Sequence, residues 1–376
     1  MKVLGIIFAG DRGELLEKLT NKRTPAALPI YGKYRIIDFS LSNMVNAGIS
    51  KIGIVTQYNP RSLMDHIGSG KEWDLDRKNG GVYFLQPYVT PNSESMGYMG
   101  NADALFKNMD ILKRGNEDYV LICSGKQIYK IDFNKMFQSH IESGADITVL
   151  SSNSKEHNDM KISNLAKTNE DGRIVEWISN PGEKFKIDKN NTHVLNAFFM
   201  NKFLLKELLF ATVPEGNFDL IDGIIRNNID SLVINAYNFY GFWRNIKRDV
   251  NSYFETCLSI LNDEIRKELF YEHGRVYTKL KDLPPPKITN TGVIKNSIVA
   301  DGSFINGKIE DSIISRSTRI LAGASVKNSV ILEGCTIEEG ACVENAILDK
   351  DCTIRIGKKF LGKPNSPKIL EKNGVF

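Results

Sequence analysis

Aliphatic residues in the last part of the chain return every 17 positions, and few folds can satisfy that constraint. Ile309, Val326 and Val343 form one series, Ile314, Ile331 and Leu348 a second, and Ile320, Ile337 and Ile354 a third. Successive members of the combined pattern are five or six residues apart, room for one short strand and one corner. Gly302, Gly307, Gly323, Gly334 and Gly340 stand where a chain must turn sharply. The pattern predicts a parallel β-helix of hexapeptide type, because an ordinary sandwich of short strands has no reason to hold a common period. One coil cannot bury its inner face alone, so the module is expected to stack on itself and on another subunit.

Upstream the periodicity is different. From the start to about Val250, short apolar runs alternate with amphipathic stretches: VLGIIFA, LSNMVNAG, KIGIVTQ, ADALFKNMDIL, YVLIC, FNKMFQSHIESG and DITVLSS. That alternation predicts βαβ units and a largely parallel sheet. Residues 251–271 read as one helix, and Pro284 to Pro286 as an extended linker. The expected division is therefore 1–250, a linker over 251–286, and the β-helix over 287–376. With 376 residues and 41% hydrophobic content there is ample material for two cores. Opposed charges of 49 and 45 leave a net +4, which speaks against a nucleic-acid or membrane-surface footprint. Five cysteines without a C-x-x-C pair suggest reduced thiols and a cytoplasmic protein, with Cys123 a small core residue. The opening MKVLGIIFAGDRG reads as a first buried strand and not as a signal peptide, and no run approaches the roughly 18 apolar residues of a membrane span.

The stretch VLICSGKQIYKIDF, residues 120 to 133, begins as a buried strand and breaks at Ser124-Gly125, which places Lys126 at a strand's carboxyl end. Chemistry in α/β enzymes collects there. Around it stand LTNKR (19 to 23), GKYRIIDFSLSN (32 to 43), VTQYNPRSLMDHI (55 to 67), GNADALFKN (100 to 108), IYKIDF (128 to 133) and GAD (144 to 146). As an ordered set followed by a β-helix, these segments resemble the bacterial glucose-1-phosphate adenylyltransferases, or ADP-glucose pyrophosphorylases, over nearly the whole chain. The resemblance implies a GT-A-like Rossmann nucleotidyltransferase domain followed by a left-handed parallel β-helix. It also implies a reaction joining glucose 1-phosphate to ATP with release of pyrophosphate, in which metal ions and cationic side chains neutralise charge.

Against that pattern the chain departs at each subsite. The family's glycine-rich phosphate loop reads AGDRGELLEKLT here, with Asp11 at a glycine, Glu14 at a small residue and Leu15 at an arginine. Pro25 takes the place of the lysine in K-R-A-K-P-A. The loop G-D-H-I-Y becomes Gly125-Lys126-Gln127-Ile128-Tyr129, exchanging a metal-binding aspartate for a lysine, and W-R-D becomes Trp243-Arg244-Asn245. The sugar-phosphate motif E-K-P appears as Ser179-Asn180-Pro181. Taken together, these losses point to a chain that holds no metal and no intact catalytic residue. It resembles the regulatory-type subunit that pairs with a catalytic, Mg²⁺-using glucose-1-phosphate adenylyltransferase subunit in a hetero-oligomer, expected to be a tetramer. Lys126 is expected to pair with Asp11 or Glu14. Lys22, Arg23 and Arg35 match basic residues that the family uses for phosphorylated metabolite effectors, and their alternative is a turn held by structural salt bridges. The five histidines lack metal-ligand spacing, and His66 reads as a helix contact. Two other readings remain. One is an active or weakly active adenylyltransferase with substitute ligands. The other is a free-standing sugar-phosphate sensor or β-helix acyltransferase, disfavoured because residues 286–376 contain no histidine.

Overall fold

The computed structural model describes residues 1–88, 97–153, 164–179, 191–246 and 249–376. It divides into two compact units, the first holding residues 1–11, 40–58 and 68–241, the second 12–39, 59–67 and 242–376. This partition differs from the boundaries read at 250 and 286, since the early segments 12–39 and 59–67 group with the later residues.

The first unit is built on a nine-stranded sheet. Strands β1 (Val3–Phe8), β2 (Lys51–Val55), β3 (Gly81–Leu85) and β4 (Tyr119–Ser124) run parallel in the order β3-β2-β1-β4. The apolar runs of β1, β2 and β4 are buried along nearly their whole length, as strands covered on both faces must be. Strands β5 (Ile147–Ser152), β6 (Asn164–Thr168), β7 (Ile174–Ser179), β8 (Asn191–Asn201) and β9 (Ile234–Asn238) complete the sheet. Of these, β8 is antiparallel to β4 and β5, while β9 lies parallel to β5. The helix Phe133–Ser143 follows β4; Asp132 caps it by accepting from Asn134 N at 3.0 Å, and Phe133, Met136, Phe137 and His140 form its buried stripe. Cys123 is fully enclosed, and burial pushes its thiol up to about 12, as suits a core residue.

In the second unit the coils form three five-stranded parallel sheets. Ile305, Ile320, Ile337 and Ile354 share one register, Ile309, Val326, Val343 and Phe360 a second, and Ile314, Ile331 and Leu348 a third. Each of these side chains is buried in one continuous core. The 17-residue period relates Ile288 to Ile305 and recurs from Ile309 to Phe360, but one coil between is shorter, with Ile294 level with Ile309, Val299 with Ile314 and Ile305 with Ile320, each 15 positions apart. Asn296, Asp311, Asn328 and Asn345 turn one corner in the left-handed conformation, which short polar side chains tolerate. Gly302, Gly323, Gly334 and Gly340 turn others. Gly307 does not, and its value is space: a Cβ there would lie 2.3 Å from the Ala324 carbonyl oxygen of the next coil.

The helix expected over 251–271 is two helices, Val250–Ser259 and Asp263–Tyr271. Asn262 explains the break, because its side chain accepts from Glu264 N at 2.8 Å and caps a new start. Pro284 to Pro286 carry neither helix nor strand, as read. Among the described residues no helix is long and apolar enough to cross a membrane, and the five cysteines are free thiols.

Candidate functional site

Strands β1 and β4 are neighbours with Phe8 level with Ser124, so the segments that follow them leave the sheet side by side. Gly125 N donates to Phe8 O at 2.8 Å and fixes the start of the second loop. Two residues beyond β4, Lys126 turns back and its Nζ meets Asp11 Oδ2 at 2.7 Å, with the lysine side chain only 12% exposed. The ammonium thus lies against the loop carboxylate at the carboxyl ends of the central strands. A divalent cation needs several oxygen ligands, and a fixed positive charge within contact distance opposes it. Among the described residues no group of three or more His, Cys, Asp or Glu side chains converges. Among the described residues, this end of the sheet thus sets a cation where Mg²⁺ would need oxygen ligands. Farther along the sheet, Ser179 Oγ donates to Asp222 Oδ1 at 2.6 Å, whereas Asn180 and Pro181 lie outside the described residues.

In the second unit the continuation of the loop is fixed at Gly13, whose φ of 71° suits glycine. A Cβ on Gly13 would come within 2.6 Å of Pro25 Cγ and 2.9 Å of Thr20 Cγ2. Pro25 is therefore a buried packing partner of the loop. Glu14 pairs at 3.6 Å with Arg12, both largely exposed, and so Asp11 is the carboxylate that holds Lys126. Leu15 is 62% exposed, an apolar side chain where a triphosphate site would want a cation. Asn245 buries a side-chain oxygen that has no hydrogen-bond partner among the described residues.

The basic residues read as an anion site have different partners. Arg23 makes a fork to Asp349, with Nη2 at 2.8 and 2.6 Å from the two carboxylate oxygens, and both residues are buried. That is the structural salt bridge of the alternative reading. Lys22 is exposed. Arg35 lines a cavity of about 170 Å³ together with Lys33, Lys279, Lys281, Arg316 and Lys350. One Arg35 nitrogen donates to Ser62 O at 2.8 Å and Ser62 Oγ at 2.7 Å, and burial lowers its guanidinium to about 10 against the opposing pull of Asp38. His66 also lines this cavity; its Nε2 lies 2.6 Å from Asp38 Oδ1, a contact between two helical segments as expected. The sequence reading missed the other five cations. They come from the Gly32 turn, the pre-proline linker and one corner of the β-helix in two of its coils, and no local motif joins them.

A nucleotidyltransferase-like sheet in which a parallel β-helix follows later in the chain defines a class, and comparison with known proteins agrees with it. A nucleotidyl transferase family model matches residues 4–211, and a GlmU-like C-terminal hexapeptide model matches residues 284–362. The chain is 34% identical over 325 residues to a glucose-1-phosphate adenylyltransferase of Mycoplasma mobile, covering 85% of this chain and 83% of that one. It is 35% identical to that of Clostridium novyi, covering 83% and 81%, and 36% identical to that of Geobacillus stearothermophilus, covering 87% and 83%. The chain belongs to the glucose-1-phosphate adenylyltransferase family, with a Rossmann-like nucleotidyltransferase domain and a left-handed β-helix of hexapeptide repeats.

Proposed function

We propose that this chain is a regulatory, catalytically inactive subunit of glucose-1-phosphate adenylyltransferase, acting in the cytoplasm in glycogen synthesis. The observation that carries the reading is the 2.7 Å pair between Lys126 and Asp11, which neutralises a loop carboxylate with a fixed cation. Leu15, Pro25 and Asn245 support it, since none supplies the charge that transfer of a nucleotidyl group demands. In this reading the chain contributes no metal and no acid or base. It associates with a catalytic subunit that uses Mg²⁺, in a heterotetramer, and passes on the effect of phosphorylated metabolites bound in the cavity around Arg35. Such regulation is a coupling free energy between two sites, and it requires only that anion binding and catalysis favour the same arrangement of subunits. The test is ADP-glucose synthesis from ATP and glucose 1-phosphate by the purified chain, alone and mixed with a catalytic subunit. The chain alone is expected to be inactive and the mixture to differ from the catalytic subunit alone in rate or effector response. Sustained pyrophosphate release by the chain alone would overturn the proposal.

A further inference from the structure

Arg316, Glu333 and Lys350 recur at the 17-residue period and so occupy the same corner of successive coils. All three line the cavity that holds Arg35. The corner therefore presents cation, anion, cation, and the anion is the anomaly. Lys350 Nζ lies 3.0 Å from one Glu333 oxygen, and Lys281, from the segment before the prolines, bonds the other. The Glu333 side chain is 23% exposed. Burial alone would raise its pKa, yet the two lysines outweigh burial and hold the carboxyl down to about 2, so the group is an anion under all ordinary conditions. Nearby, Arg316 is buried; its terminal nitrogens donate to Lys279 O at 3.2 Å, while its Nε has no partner among the described residues. The cavity is thus a cradle of donors in which one of the protein's own carboxylates already engages two of the cations.

We propose that Glu333 is a resident anion, occupying with its carboxylate the position that a phosphate group of a ligand takes, and that it restricts the cavity to ligands of higher negative charge. The proposal rests on the reading of this cavity as an anion site. A ligand must displace the carboxylate from Lys281 and Lys350. A monocarboxylate exchanges one negative charge for another and gains little, whereas a phosphate dianion or a diphosphate brings more charge and more acceptor oxygens to the same donors. Glu333 then sets both the threshold and the selectivity of the site.

The experiment titrates inorganic phosphate, pyrophosphate and acetate into the full-length chain by calorimetry, in wild type, Glu333→Gln, Glu333→Ala and Arg35→Gln. Glu333→Gln keeps the shape and removes the charge, and Glu333→Ala serves as a second variant should the first fold poorly. Both are expected to bind phosphate and pyrophosphate about tenfold more tightly than wild type, and to gain acetate binding that wild type lacks. Arg35→Gln should weaken pyrophosphate binding. If Arg35→Gln weakens binding but the Glu333 variants bind no better, or bind worse, Glu333 organises the lysines instead of competing for them, and this proposal falls while the anion site stands. If wild type and both Glu333 variants ignore all three anions, or if Arg35→Gln changes nothing, the cavity is not an anion site and both readings fall together.

Discussion

Lys126 and Asp11 show how two substitutions at separate positions become one feature once strands are paired. Each alone reads as a loss, but the adjacency of β1 and β4 turns them into an ion pair at 2.7 Å. A pairing of Lys126 with the loop was legible in sequence because both segments follow recognisable strands, but the choice of Asp11 over Glu14 was not. The cation cluster was not, because Lys33, Lys279, Arg316 and Lys350 acquire a common site only through folding. Restoring carboxylates by Lys126→Asp with Asn245→Asp is expected to leave ADP-glucose formation at background. Groups that act as a unit are strongly non-additive, and Leu15 and Pro25 still provide no cation. Measurable turnover by this double variant would show that the metal ligands alone were missing. A second outcome concerns Lys130, which is wholly buried and donates to Asn43 Oδ1 at 3.2 Å. Burial lowers its pKa from 10.5 to about 8, with Asp132 opposing. Between those values the unfolded chain binds more protons than the folded one, so stability gains from this group as pH rises through that window. Lys130→Met removes the gain. Urea unfolding of both proteins should show the wild type improving relative to the variant from about pH 8 to 10.5, and a constant difference would refute the assignment.

Elements differ in how openly their sequence announces them. The β-helix could be read because parallel stacking in register makes each coil repeat the previous one, so Ile320, Ile337 and Ile354 are equivalent in space as well as in spacing. One early coil, two residues shorter, breaks the count and was not anticipated. Nor was the division of the helix at Asn262, since apolar spacing runs on across the break and only the capping side chain marks it. The corners allow a test of what each glycine is for. Gly307→Ala drives a Cβ toward the Ala324 carbonyl at 2.3 Å, where backbone must move, and is expected to cost about 2 kcal/mol or more. Gly340→Ala meets nothing within 4 Å and suffers only its φ of 66°, about 1 kcal/mol. Thermal or denaturant melts of the two variants should rank them in that order. Equal losses would mean that the coils part easily and that close approach at Gly307 is not a constraint.

At the scale of the whole molecule, the β-helix poses a problem that its own chain leaves open. Strands Lys287–Ile288 and Val293–Lys295 stand at the ends of their sheets, and Ile288 and Val293 are each 52% exposed. A strand edge with apolar side chains is a surface on which another chain can add. In the proposed hetero-oligomer this first coil is the place where association with the catalytic subunit is expected to depend on the present chain. Replacing both residues in Ile288→Lys with Val293→Lys puts charge on the edge while leaving the buried core residues Ile305 and Ile309 untouched. The lone variant should melt within about 2 °C of wild type, because half-exposed side chains carry little folding energy. Mixed with a catalytic subunit and weighed by mass photometry, it should form the hetero-oligomer about tenfold less readily than wild type, since a buried unpaired lysine at an interface is costly. Unchanged assembly would place the contact elsewhere on the chain and leave the first coil's exposed edge without a role in association.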